Sequence, residues 1–135
     1  MAERYFTPSE ANELLAEVRP LAESLVEHRN GMRLAAERRA RLTARIAGNG
    51  GDLDPQEPGE LDERFERESQ AVARAVEGLQ RLGLLVKDLD RGLVDFPALH
   101  AGEEVLLCWQ VGEDEVAYWH GVDEGFAGRK PLPLD

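Results

Sequence analysis

The sequence predicts an α+β fold, a long antiparallel helical hairpin followed by a small antiparallel β-meander. Three observations carry that expectation. Apolar residues recur at helical spacing over 7–47 and 60–82, the periodicity changes after Gly83, and the later segments are joined by turns too short for anything but hairpins. At 135 residues the chain is long enough for one core and not for two, so 1–135 reads as a single domain.

The first helix is announced by Thr7-Pro8-Ser9-Glu10: Thr7 suits the cap, Pro8 the first helical position, and Glu10 closes a capping box. Ala11, Leu14, Val18, Leu21, Leu25, Met32, Ala35, Leu42 and Ile46 then define one seam. Pro20 removes a backbone donor and is expected to bend the helix. Gly48-Asn49-Gly50-Gly51 ends it, and Gly48 to Gly59 reads as a flexible linker. The second helix has its seam at Leu61, Phe65, Glu68, Val72, Ala75, Leu79 and Leu82, with Gly83 as its C-cap. Laid antiparallel, the two seams predict a layer register that sets Ala35 opposite Val72, His28 opposite Leu79 and Arg39 opposite Glu68. Leu15, Ala22, Val26 and Val76 lie beside the seam and need the sheet or a second subunit to cover them.

Strands are expected near Leu84–Lys87, Leu93–Phe96, Glu104–Val111 and Glu115–His120, filling 84–120, with 121–135 as a tail. In the turn Asp88-Leu89-Asp90-Arg91-Gly92 the glycine supplies a positive φ and the aspartates bond backbone amides. A calcium loop is excluded there, because Leu99 stands where a bidentate Glu belongs. A three-residue loop at 112–114 pairs Val111 with Glu115 and therefore Cys108 with Tyr118. Val105, Leu107, Trp109, Val111, Ala117 and Trp119 then face the core, while Cys108 and His120 share the other face, close enough for a common ligand.

That pair is the sharpest chemical suggestion in the chain. A thiolate and an imidazole are ordinary ligands for zinc or iron, and Asp95 or Glu113 could add an oxygen. The same pair could be a nucleophile and its base, or Cys108 could be a small core residue and His120 a strand end. The face of Asp95 depends on the length of the 98–102 turn; off the cluster, it would pair with Arg129 or Lys87. Gly125-Phe126-Ala127-Gly128-Arg129 lacks the helix of a phosphate site and reads as an anchor for the tail.

Composition narrows the classes further. The net charge of -11 disfavours nucleic acid and tolerates a cation. No apolar run approaches a membrane span, the N-terminus lacks the pattern of a signal peptide, and the single cysteine suits a reducing compartment, so a cytoplasmic location is expected. The phrases Val86-Lys87-Asp88, Gly92-Leu93-Val94-Asp95-Phe96, Leu107-Cys108-Trp109, Trp119-His120 and Gly125-Phe126-Ala127-Gly128-Arg129 are distinctive. Through them, and through Tyr5-Phe6-Thr7-Pro8-Ser9-Glu10-Ala11, the chain resembles the bacterial family called domain of unknown function 2203, over nearly its whole length. The resemblance implies a small cytoplasmic bacterial protein and brings no catalytic or ligand residue. The residues alone lead to two expectations of different class. One is a non-catalytic, self-associating scaffold or interaction module that forms a homodimer or other homo-oligomer. The other is a metal-binding protein or metal-dependent enzyme centred on Cys108 and His120.

Overall fold

A computed structural model describes residues 2–49 and 54–134. Helix α1 (Pro8–Asn49) and helix α2 (Glu57–Arg81) form an antiparallel hairpin. Strands β1 (Leu85–Asp88), β2 (Leu93–His100), β3 (Glu103–Trp109), β4 (Tyr118–Gly121) and β5 (Lys130–Pro131) follow. They make a five-stranded antiparallel sheet in the order β1-β2-β3-β4-β5. The α+β expectation holds, and the meander gains one strand from what the sequence reads as a tail.

The capping box forms as the sequence predicts. Thr7 Oγ1 accepts from the Glu10 amide at 3.1 Å, and the Thr7 amide donates to Glu10 Oε1 at 2.9 Å. That amide holds the Glu10 carboxyl below the usual carboxylate range. Thr7→Ala is expected to cost about 1 kcal/mol, read as a lower urea midpoint at unchanged slope; a midpoint equal to that of the unmodified protein would show the cap to be idle. Helix α1 runs unbroken through Pro20. Helix α2 begins before the expected 60, because Pro58 fits its first turn, and residues 50–53 of the expected linker lie outside the described residues.

The layer register of the hairpin is a correction. Arg39 meets Asp62 at 3.1 Å rather than Glu68, and Glu68 meets His28 Nδ1 at 2.8 Å, where Leu79 was expected. A heptad seam fits its partner almost equally well after a slide of about seven residues, so apolar spacing alone leaves the register degenerate. Gly31 helps to break the tie. The Glu68 carboxylate occupies the space where a Cβ on Gly31 would be, which lets it reach across to His28.

One face of the sheet packs on the hairpin. Val94, Phe96, Val105, Leu107 and Trp109 of β2 and β3 bury against Leu15, Val18, Ala22 and Leu25 of α1 and Val72, Ala75 and Leu79 of α2. Leu15 and Ala22, beside the seam, are thus covered within the chain. The β3–β4 register agrees with expectation: Cys108 pairs with Tyr118 and Leu106 with His120. The strands are shorter, however, and Val111 does not pair with Glu115. Asn12 of α1 is the reason. Its Oδ1 accepts from the Val116 amide at 2.7 Å and its Nδ2 donates to the Val116 carbonyl at 3.2 Å. The helix thereby takes the backbone groups that β3 would have used.

Candidate metal centre

Three side chains from three strands converge on the face of the sheet away from the hairpin. Asp95 lies in β2, Cys108 opposite it in β3, and His120 in β4. The β2–β3 turn decides the position of Asp95. Ala101 and Gly102, both at positive φ, close a two-residue turn in place of the longer 98–102 segment, so β2 extends to His100. Every later pair follows, and Asp95 falls directly across from Cys108. Asp95, Cys108 and His120 are 1%, 1% and 3% exposed. One ligand atom from each lies within 4.8 Å of the others.

The hydrogen bonds fix the imidazole. His120 Nδ1 lies 2.8 Å from the Gly121 carbonyl, which can only accept, so Nδ1 carries a proton. Nε2 points into the cluster, 3.1 Å from Asp95 Oδ1. Burial raises the Asp95 carboxyl above its ordinary range, opposed by the adjacent His120 and by Lys87. Burial also pushes the Cys108 thiol up to about 11, with the Asp95 charge acting in the same direction and Arg129 against it. In the absence of a metal the cysteine is therefore a thiol at neutral pH. Nδ1 is taken up by Gly121 and Nε2 by Asp95, and the thiol is held protonated, which argues against Cys108 as a nucleophile activated by His120.

Glu113 stands apart from this cluster. Its carboxylate accepts from Arg129 at 2.8 Å and from the Gln110 amide at 2.9 Å. Arg129 in turn lies over the rings of Tyr118 and Phe126 and donates to the Cys108 carbonyl at 3.4 Å. The C-terminal segment thus folds back over Cys108 and seals the outer face, with β5 pairing against β4. The expected anchoring role of Phe126 and Arg129 is what the geometry shows. The shielding of Cys108 by Arg129 had no signal in the sequence, because no periodicity links positions 108 and 129. The carbonyl of Gly121 is a backbone group and was equally invisible.

The Asp88 turn is a plain hairpin turn. Asp88 Oδ1 accepts from the amides of Asp90 at 2.9 Å and Arg91 at 3.1 Å, and Gly92 sits at φ 63°. No helix among the described residues is long and apolar enough to cross a membrane. No curated protein and no solved structure matches the chain. The family model for an uncharacterized conserved protein, DUF2203, matches residues 4–132, and the chain belongs to that family.

Proposed function

We propose that this protein binds one divalent transition metal ion, of the zinc or iron class, through Asp95, Cys108 and His120. The observation that carries this reading is the convergence of a carboxylate, a sulfur and an imidazole nitrogen within 4.8 Å, from three strands, at a buried position. Tetrahedral zinc with bonds of about 2.0–2.3 Å holds its ligands about 3.3–3.8 Å apart, so small side-chain adjustments close the set. Asp95 and His120 already stand 3.1 Å apart. The bond from Nδ1 to a backbone carbonyl is the usual support of a metal-bound histidine, because it fixes the tautomer and aims the other nitrogen.

Charge balance favours the same reading. A divalent ion with one thiolate, one carboxylate and one neutral imidazole is a neutral unit, which a buried site accommodates. Three protein ligands leave the fourth position of a tetrahedral ion to water or another small ligand, and the ion would join β2, β3 and β4 at a buried position. Elemental analysis of protein purified without chelator or affinity-tag metal tests the proposal. About one equivalent of metal is expected, lost in Cys108→Ser and in His120→Ala. Cobalt loaded into the apoprotein should show thiolate charge-transfer absorption that disappears in Cys108→Ser. At free zinc about 100 times Kd the stabilisation should be about 2.7 kcal/mol. Protein that emerges metal-free and gains no thermal stability from zinc, iron or cobalt would overturn it.

A further inference from the structure

The hairpin is longer than the sheet it supports. Helix α1 has 42 residues, about 63 Å of helix, and its side-chain hydrogen bonds to the sheet and its turns reach as far as Arg29, which bonds Asp90 in the β1–β2 turn. Beyond that point, among the described residues, the side-chain hydrogen bonds of α1 go to α1 itself or to α2. The projecting end leaves Leu34, Ile46 and Phe65 at 51%, 48% and 38% exposure.

Charge on this end is segregated by helix. From Arg33 to Arg45, α1 carries five arginines and one acid, whereas Glu57 to Glu68 of α2 carries six acids and two arginines. Leu34, Arg38, Arg41 and Arg45 recur at helical spacing along one edge of α1, and Glu57, Glu60, Arg64 and Glu68 do so along α2. The ion pair between Arg38 and Glu57, at 2.9 Å, places the two edges on the same side of the hairpin. A basic stripe therefore runs beside an acidic one, around an exposed leucine.

We infer that this side of the projecting hairpin is a homodimer interface whose occupant is a second copy of the chain. A two-fold axis along the hairpin lays the basic α1 of one copy on the acidic α2 of the other, twice over, with Leu34 enclosed between them. No other arrangement of two such faces matches both stripes at once: a two-fold across the hairpin sets arginines on arginines. Projecting ends about 30 Å long and about 20 Å wide cover about 600 Å² per copy, near the ~1,200 Å² total of a specific interface. The inference is independent of the metal site, which lies on the opposite side of the sheet from the hairpin.

Light scattering tests it directly. The mass should double from 15.0 kDa to about 30 kDa at micromolar concentration, and the dimer should weaken as salt rises. Arg38→Glu with Arg41→Glu makes the side wholly acidic at its centre, and Glu57→Lys with Glu60→Lys makes it basic. Each double variant should be monomeric, and an equimolar mixture of the two should recover the dimer mass. Arg38, Arg41 and Glu60 are exposed and Glu57 is partly buried, surface ion pairs of this kind contribute little to folding, and circular dichroism checks that each variant retains its helix content. A 15.0 kDa species throughout at low salt, or a dimer that ignores both reversals, would refute the interface.

Discussion

His120→Ala, measured with chelator present at neutral pH, is expected to destabilise the fold by about 3–5 kcal/mol, the range for removing one partner of a buried ion pair. The imidazole is the hydrogen-bond partner of a carboxylate that is itself 1% exposed, so no solvent screens the loss. Removing it leaves Asp95 with the Cys108 thiol and the more distant Lys87 charge. The double variant Asp95→Ala, His120→Ala should be destabilised by less than the sum of the single changes, because nothing is then left stranded. Chelator removes any metal contribution, so the experiment reads the polar pair alone.

The pH dependence of the same variant follows from the direction of the Asp95 shift. Burial already raises its folded carboxyl above the unfolded value and His120 opposes that rise, so removing His120 raises it further and the unfolded chain gives up this proton more readily. The resulting penalty is absent below the unfolded pKa and fully developed above the folded one. His120→Ala should therefore be most damaging at neutral pH and should recover part of its stability as the pH falls through the carboxyl range. Urea midpoints across that range check both statements. A loss below about 0.5 kcal/mol, the size of an ordinary surface change, would mean that Asp95 finds another partner when His120 is gone.

Gly92→Ala is expected to cost about 2–5 kcal/mol, the sum of a left-handed backbone penalty and the overpacking of a filled contact. Gly92 has φ 63°, and a Cβ there would lie 2.5 Å from Val111 Cγ2 and 2.9 Å from Val26 Cγ2. It would also approach the Ala22 carbonyl at 3.3 Å, so the sheet and α1 would have to separate at the point where the meander docks on the hairpin. Gly102 supplies the control. It too has positive φ, but nothing lies within 4 Å of its Cβ direction, and Gly102→Ala should cost only the backbone part, about 1–2 kcal/mol. Equal losses in the two variants would show that the contact at Gly92 yields without strain.

Local chemistry explains which parts of this fold could be read in advance. The Thr7–Glu10 box, the glycine-closed turn at Gly92 and the change of period after Gly83 are signals carried within a few residues. The pairing of Cys108 with Tyr118 was also legible: counting from a three-residue loop at 112–114 reaches the observed register, which buries Leu107 and Trp109, although the pairing stops short of Val111 and Glu115. That register already placed Cys108 and His120 on one face. Asp95 could not be placed in the same way, since its face depended on whether the β2–β3 turn took two residues or more.

The sequence by itself determined the hairpin, the antiparallel meander, the order of its first four strands and two members of the candidate centre, because each rests on periodicity or turn chemistry that acts over short range. Tertiary structure decided what those rules leave degenerate. It chose the hairpin register, since a heptad seam slides without loss until a feature such as Gly31 admits Glu68. It shortened β4 through Asn12, a residue 104 positions from the Val116 backbone it captures. It drew Glu113 to Arg129 and brought Asp95 to Cys108 and His120. These last choices are competitions between distant polar groups for the same partners, and only the folded chain sets the distances that settle them.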